Sequence, residues 1–344
     1  MENYIPPDNY SLSAVPDGLL EEEDEDGIYV IVRRMSIICY SVTFILGIVG
    51  NGLVIWVAGF KMEKTVNTIW FLNLGFTDFC LCLFLPLRIT EWANNGIWAF
   101  GWVMCKVVYT ILLLNMSVSI IFLMTISVDR CVSVQCPLWW KNPRTSRLAT
   151  NISVIIWFIC LVLSSPYLAF YNIQEHMDNN LSYCANEYGV WSNTTLSEQT
   201  WHRRNKVGTP DNGAVLMFLV PFIIILICYC LIIFVINGRT AGRSRSQRPF
   251  RIIIAIVTGF FICWFPHHIF PLIPYSTPGE TLWKINLVFY LISVILAYFS
   301  SCLNPILYYF LNQKCKGNLK NAITLNLKNA FIEDVDDVTI KGTL

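Results

Sequence analysis

The sequence predicts an all-α membrane protein built as a bundle of seven transmembrane helices. Its 344 residues are 55% apolar and 14% aromatic but only 14% charged, whereas soluble domains carry roughly 25% charged residues. Seven stretches are apolar over about 20 residues or more, the length that crosses roughly 30 Å of hydrocarbon. The charged residues are sorted between the two sides that such a bundle defines. These observations exclude a disordered chain, a nucleic-acid-binding domain and almost any soluble enzyme of this length.

The seven predicted spans differ in length and context. Numbered in chain order as spans 1 to 7, they cover residues 35–59, 67–90, 103–134, 148–170, 213–236, 250–274 and 284–310. Span 3 is longer than the bilayer requires, so we expect it to be tilted. Span 1 follows an acidic segment and has no basic leader, so we expect it to remain as a signal anchor. The predicted organisation is an acidic extracellular N-terminus (1–34), the bundle (35–310) and a cytoplasmic helix and tail (311–344).

The basic residues predict the orientation, because Lys and Arg accumulate on the cytoplasmic side of membrane proteins. With the N-terminus outside, 16 of the 24 Lys and Arg residues face the cytoplasm. The reverse orientation would place the basic third inner loop outside. Glycosylation sequons at Asn9, Asn180 and Asn193 then fall on the outer side. We therefore predict a multi-pass plasma-membrane protein with an extracellular N-terminus.

Two of the thirteen cysteines are predicted to face the oxidising outer compartment, where disulfides form. Cys105 lies at the outer start of span 3, and Cys184 lies midway through the long second outer loop. A disulfide between them would fasten that loop across the mouth of the bundle. Cys315 follows span 7 and is a candidate for palmitoylation on the cytoplasmic side.

Asp78 is the only carboxylate deep inside a predicted span. A charge at the bilayer centre costs at least about 2.5–3.5 kcal/mol, so it requires partners. Candidate partners on other spans are polar: Asn51, Asn115, Ser119, Ser300, Ser301 and Asn304. Such a cluster is typical of a site for a proton, waters or a small hard cation such as sodium, and no other cofactor is expected. The alternative is a protonated Asp78 that joins helices through hydrogen bonds.

Seven short motifs, in order and each on its own span, resemble those of rhodopsin-like G-protein-coupled receptors. The motifs are Gly50-Asn51, Leu74-Gly-Phe-Thr-Asp78, Asp129-Arg130-Cys131, Trp157, Pro221 with Tyr229, Cys263-Trp264-Phe265-Pro266 and Asn304-Pro305-Ile-Leu-Tyr308. The stretches 50–59 and 64–73 are similar to the chemoattractant branch, which includes formyl-peptide, complement-anaphylatoxin and chemerin-type receptors. The Asp-Arg-Cys motif, in place of the commoner Asp-Arg-Tyr, agrees with that branch.

The resemblance implies a two-state receptor rather than an enzyme, with a short amphipathic eighth helix after span 7. Its activation switch would comprise Asp129, Arg130, Tyr229, Trp264, Pro266, Asn304, Pro305 and Tyr308. Arg130 would pair with Asp129 at rest and reach toward the two tyrosines on activation. The implied partners are an extracellular peptide or protein ligand, an inhibitory heterotrimeric G protein and arrestin. The short, arginine-rich third inner loop is similar to those of receptors that couple to the inhibitory class.

The candidate ligand pocket lies near the outer ends of the spans. Its residues are Arg88, Glu91, Tyr109, Leu112, Met116, His267, His268 and Tyr290. Leu112 and Leu113 stand where amine receptors carry an aspartate, which argues against a cationic amine ligand. Arg88, with Lys106 and Lys284, predicts an electropositive pocket that suits the carboxylate of a peptide or fatty acid. Alternatively Glu91, three residues after Arg88, neutralises it.

The predicted N-terminal segment is strongly acidic: residues 1–27 carry nine acids and no Lys or Arg. This charge favours the capture of a basic protein ligand by long-range attraction. The alternative is a solvated acidic tail without a binding role. The chain is interpreted as a signalling receptor. The alternatives are a non-signalling scavenger receptor and a receptor for an anionic lipid mediator. The intact Asp129-Arg130 and Asn304-to-Tyr308 motifs favour signalling.

Overall fold

A computed structural model of the chain describes residues 27–136, 145–166, 168, 171–176, 181–186, 212–238, 248–269 and 280–311. The helices are α1 (Gly27–Trp56), α2 (Val66–Leu83), α3 (Leu85–Ala93), α4 (Gly101–Gln135), α5 (Ser146–Ser164), α6 (Asn212–Gly238), α7 (Arg248–Ile269) and α8 (Glu280–Leu311). A π-helical turn, Val57–Lys61, extends α1. Two strands, β1 (Tyr171–His176) and β2 (Leu181–Asn186), lie between α5 and α6.

This arrangement confirms the predicted seven-helix bundle. Six helical segments are long and apolar enough to cross a membrane, and the described part of α7 adds a shorter apolar helix, Ile254–Ile269. The protein is therefore a multi-pass membrane protein. At 35 residues, α4 is longer than a bilayer requires, as predicted for span 3. The predicted eighth helix lies outside the described residues.

Prolines account for two differences from the predicted spans. Span 2 consists of two helices, because α2 ends at Leu83 and α3 begins at Leu85. Pro86 has no N–H to continue the helical ladder, and the Phe84 N–H instead bonds the Leu81 carbonyl at 3.2 Å. Span 4 was predicted to reach residue 170, but α5 ends at Ser164. Pro166 has no N–H to continue the helical hydrogen bonds, and the Ser165 N–H bonds the Val162 carbonyl at 3.3 Å.

The strands form an antiparallel hairpin that the sequence did not predict. In its register Ile173 lies opposite Cys184. The Trp98 N–H, from the loop between α3 and α4, donates to the Ser182 carbonyl at 2.7 Å. Trp98, Cys105, Val108 and Cys184 form a buried cluster beneath the hairpin. The hairpin is therefore fixed to the outer end of α4.

Helix α4 occupies the centre of the bundle. It packs against α2, α5, α6 and β1, while α8 packs against α1, α2 and α7. The Asn73 side chain joins α2 to α5, because Asn73 Oδ1 accepts from Trp157 Nε1 at 2.9 Å. Phe158, on the outer face of α5, is 68% exposed, as expected of a side chain that faces lipid. These contacts bring the motif-bearing helices together around α4.

Candidate ligand-binding and activation site

The outer end of the site is closed by covalent and aromatic contacts. Cys105 on α4 and Cys184 on β2 form a disulfide, with their Cα atoms 5.6 Å apart. Tyr171 on β1 stacks on Tyr109 of α4, with ring centroids 4.2 Å apart and an interplanar angle of 13°. The hairpin is thus attached to α4 through both strands. Displacement of the hairpin will therefore act directly on Tyr109.

Arg88 and Glu91 form an ion pair on α3, and both are almost fully buried. The Arg88 Nη1 also donates to the Tyr109 hydroxyl. The guanidinium carbon lies 4.8 Å from the centroid of the Tyr109 ring. The structure thus agrees with the alternative in which Glu91 neutralises Arg88. The expectation that Arg88 makes the pocket electropositive is wrong for this side chain.

The other candidate cation near α4 also has partners. Lys106 donates to the Leu168 carbonyl at 2.9 Å, and its Nζ lies 5.5 Å from the centroid of the exposed Trp102 ring. These contacts join the outer part of α4 to the segment that follows α5. Lys284 on α8 also makes interactions within the structure.

The deeper candidate residues contact one another across α4, α6 and α7. His268 Nε2 lies 3.1 Å from Met116 Sδ. The His268 ring packs on Phe218 of α6, with centroids 4.3 Å apart. Sequence reasoning missed Phe218, because an apolar residue in an entirely apolar span carries no distinguishing signal. Leu112 is buried, and Tyr290 is half-buried against the main core.

Trp264 lies at the centre of the bundle and is fully buried. Its ring lies against those of His267 and His268, with centroids 5.7 and 6.3 Å away. Its Nε1 donates to Ser300 Oγ at 3.1 Å, and Ser300 donates to the Ala297 carbonyl at 2.7 Å. Trp264 therefore connects the two histidines of α7 to a hydroxyl on α8. Ser300, predicted among the neighbours of Asp78, serves as the acceptor for Trp264.

Asp78 lies below Ser300 in a buried polar cluster, at 2% exposure. Its Oδ1 accepts from Asn115 at 2.9 Å, and its Oδ2 accepts from Asn304 at 2.7 Å. Asn51 joins α1 to α8 by donating to the Ser301 carbonyl at 2.9 Å. The structure thus brings α1, α2, α4 and α8 together at this level, as the sequence suggested.

Several oxygen atoms around this cluster are buried and have no hydrogen-bond partner within the described part of the chain. They include Asn51 Oδ1, Asn115 Oδ1 and Ser119 Oγ. Buried polar atoms usually have a protein or water partner. Carboxylate, amide and hydroxyl oxygens are also the ligands that hard cations prefer. This set of oxygen atoms therefore fits waters or a small hard cation beside Asp78.

The cytoplasmic end of the site contains the Asp129-Arg130 pair. Arg130 Nε lies 3.8 Å from Asp129 Oδ2, and Arg130 Nη2 donates to Asn67 Oδ1 at the start of α2. This is the pairing expected of a receptor at rest. Asn67 carries no distinguishing signal in the sequence, because polar residues are common where transmembrane helices end at the membrane surface. Tyr229 is partly buried in the same region of α6.

Two prolines of the predicted switch lie inside helices, Pro266 in α7 and Pro305 in α8. The Tyr308 side chain, the sequons at Asn9, Asn180 and Asn193, and Cys315 lie outside the described residues. Their predicted roles therefore stay predictions.

Comparison with known families identifies the class to which this fold and site belong. A family model described as 7 transmembrane receptor (rhodopsin family) matches residues 50–308. The chain therefore belongs to the rhodopsin family of seven-transmembrane receptors. As a member of this family it is a receptor and not an enzyme.

The similar proteins come from the chemoattractant branch of that family. The chain is 39% identical over 313 residues to the chemerin-like receptor 1 of Sus scrofa, spanning 88% of this chain and 84% of that receptor. It is 37% identical over 319 residues to the C3a anaphylatoxin chemotactic receptor of Oncorhynchus mykiss, spanning 92% and 83%. It is 36% identical over 326 residues to the N-formyl peptide receptor 2 of Homo sapiens, spanning 90% and 89%. The branch suggested by residues 50–59 and 64–73 is confirmed.

Proposed function

We propose that the chain is a plasma-membrane receptor for an extracellular peptide or protein chemoattractant. It presents its N-terminus outside, signals through inhibitory heterotrimeric G proteins and binds arrestin. The relatives support the ligand class, because they include receptors named for formyl peptides and for the C3a anaphylatoxin. The arginine-rich third inner loop supports the coupling class. The acidic N-terminus suits a basic ligand by long-range attraction.

The observation that carries the proposal is the set of buried contacts from the outer residues to the polar cluster. Phe218 and Met116 contact His268, whose ring lies against Trp264, and Trp264 bonds Ser300. Ser300 lies on the same helix as Asn304, which bonds Asp78. A ligand that contacts Phe218 or His268 is therefore positioned to shift α7 relative to α8.

The proposed mechanism is a choice between two packings of the bundle. A ligand shifts the equilibrium only through a difference in its affinity for the two packings. Pro266 removes a backbone hydrogen bond from α7, which favours a bend of this helix next to Trp264. An outward movement of the inner end of α7 would open a groove for a G-protein helix. Arg130 would then leave Asp129 and Asn67 and reach toward Tyr229.

The Asp78 cluster is proposed to hold a small hard cation such as sodium, or waters in its place. Asp78, Asn115 and Ser119 supply the oxygen ligands, and a bound cation would neutralise the Asp78 carboxylate. A cation that binds only one of the two packings would favour that packing. The proposal requires the charge of Asp78 as well as its hydrogen bonds.

The function is tested by exposing cells that express the receptor to basic secreted proteins, peptides and fatty acids. We expect a basic peptide or protein to lower cyclic AMP, and the response to vanish in cells that lack inhibitory G-protein α subunits. A matched Arg130→Ala receptor should bind the ligand without the response. Uptake of ligand with no cyclic-AMP change would instead identify a scavenger. A response to fatty acids alone would identify a lipid receptor.

Basal activity gives an independent prediction. Many members of the family restrain span 6 with an acid near its inner end, but residues 243–251 contain none. With that restraint absent, we expect cyclic-AMP levels in unstimulated cells to fall below those of mock-transfected cells. Introducing a glutamate by Arg248→Glu should reduce this basal signal at equal surface expression. Equal signals in receptor-expressing and mock cells would contradict the prediction.

A further inference from the structure

The Arg88–Glu91 ion pair lies in an enclosure of aromatic side chains, the tyrosine cage. Arg88 lies against the Tyr109 ring of α4, and Tyr40 of α1 and Tyr290 and Tyr298 of α8 lie within the range of its charge. The Tyr40 and Tyr298 rings meet edge to face, with centroids 5.4 Å apart. Tyr171 of β1 stacks on Tyr109 and covers the outer side of the cage. A charged pair thus lies directly beneath the hairpin that covers the ligand region.

Glu91 already supplies the carboxylate that a guanidinium at this depth requires. An arginine is the side chain best suited to a ligand carboxylate, because its planar fork matches the two oxygens. Here Glu91 takes Nη1 of that fork. A ligand carboxylate that reached Arg88 would be a second buried negative charge beside Glu91, with one guanidinium to balance both, which is strongly unfavourable.

The Arg88 N–H group that does not bond Glu91 suits an uncharged hydrogen-bond acceptor. Among the described residues, Arg88 Nε is buried and has no hydrogen-bond partner. The charge of Arg88 is balanced, so a carbonyl oxygen satisfies this N–H without adding net charge. Peptide carbonyls have this chemistry, and the surrounding tyrosine rings suit an apolar or aromatic side chain beside it.

We propose that Glu91 is a specificity-determining residue that excludes ligands with a free carboxylate from the tyrosine cage. The receptor then accepts an inserted peptide segment that is uncharged at this level and rejects fatty acids. This inference rests on the proposed function in taking the region beneath the hairpin as the ligand site. It makes the anion selectivity of the site depend on one side chain.

The experiment measures thermal unfolding of the purified full-length receptor with sodium formate or acetate as the probe, at constant ionic strength set with chloride. Glu91→Gln keeps the shape of the side chain but frees the charge of Arg88. We expect these small carboxylates to raise the Tm of this variant saturably by about 3 °C. The native receptor should show no such rise. The control, Arg88→Gln with Glu91→Gln, removes both charges and should not respond.

A second variant keeps the test decisive if Glu91→Gln does not fold. Glu91→Ser also removes the charge, and its smaller side chain leaves space beside Arg88 for the added carboxylate. We expect a saturable carboxylate response from this variant as well. The proposal is overturned if neither variant responds to carboxylates, or if the native receptor responds as strongly as they do.

A second measurement uses a probe of the size of a natural ligand: the direct binding of a fluorescent long-chain fatty acid. We expect saturable binding to Glu91→Gln, competed by acetate, and at least tenfold weaker binding to the native receptor. Equal binding to both would overturn the proposal. Neither measurement uses a G protein or a chemoattractant. Failure of the proposed function therefore leaves these results unchanged, and the two outcomes can be distinguished.

Discussion

Replacing Asp78 with alanine is expected to lower the Tm of the purified receptor by about 5 °C or more. The two Asp78 oxygens accept from Asn115 and Asn304, and all three residues are buried. Without this acceptor, two buried amide groups lose a hydrogen bond at a cost of about 1–3 kcal/mol each. Each kcal/mol shifts the Tm of a large domain by roughly 2–4 °C. Scanning fluorimetry of the detergent-solubilised receptor measures the change.

Asp78→Asn is the matched variant, because it removes the charge but keeps an acceptor. Asn115 Oδ1 has no hydrogen-bond partner among the described residues, so rotation of the Asn115 amide lets it accept from the new amide. We therefore expect a Tm loss below about 2 °C. Sodium should raise the Tm of the native receptor but not of Asp78→Asn, with choline as the control ion. Equal losses in the alanine and asparagine variants would contradict the hydrogen-bond explanation.

The sequence predicted the bundle because insertion into a bilayer depends on local apolar length. The seven apolar stretches required no knowledge of long-range contacts, and each corresponds to a helical segment. The ends of the helices were less predictable where a proline interrupts a helix within a continuous apolar stretch. The break at Phe84 and the end of α5 at Ser164 both precede a proline that the apolar pattern masks.

The hairpin escaped prediction because its position depends on distant residues. Its strands are short, and most of the apolar residues of β2 lie opposite polar residues of β1, so neither face of the hairpin is continuously apolar. The disulfide to Cys105 and the Trp98–Ser182 hydrogen bond attach the hairpin to other segments. The sequence did suggest the cysteine pair, because the predicted outer side contains two cysteines. It gave no sign of the strand pairing.

The choice of partners among buried polar groups was only partly predictable. Asn115 and Asn304 were expected near Asp78, and the structure places both in hydrogen-bond contact with it. Ser300 was expected in the same group, yet its hydroxyl accepts from Trp264. Hydrogen bonds depend on distances within a few tenths of an ångström. Spacing along a helix locates a side chain only to a face and a depth.

The largest packing effect is expected at Gly50, where α1 approaches α8 closely. A Cβ atom at this position would lie 2.8 Å from Pro305 Cγ, and a proline ring has no rotamer that would move it away. Overpacking of this kind costs about 1–3 kcal/mol. We therefore expect Gly50→Ala to lower both the Tm and the fraction of receptor at the cell surface. Fluorimetry and surface labelling measure the two effects.

Gly52 provides the matched control on the same helix. A Cβ atom there would lie 3.6 Å from Phe79 Cε2, an ordinary van der Waals contact. Alanine favours a helix over glycine by about 1 kcal/mol, so Gly52→Ala should leave the Tm unchanged or raise it slightly. The two alanine substitutions therefore have opposite expected signs, although they stand two residues apart.

Gly47 allows the steric explanation to be tested by compensation. A Cβ atom at Gly47 would lie 2.2 Å from Cys82 Sγ on α2, so Gly47→Ala should also be destabilising. The clash involves a single thiol, and Cys82→Ala removes it. The double variant should recover most of the stability that Gly47→Ala loses, because the new methyl group then occupies the space of the sulfur atom. Strictly additive losses in the double variant would show that the glycine acts through backbone flexibility rather than close helix packing.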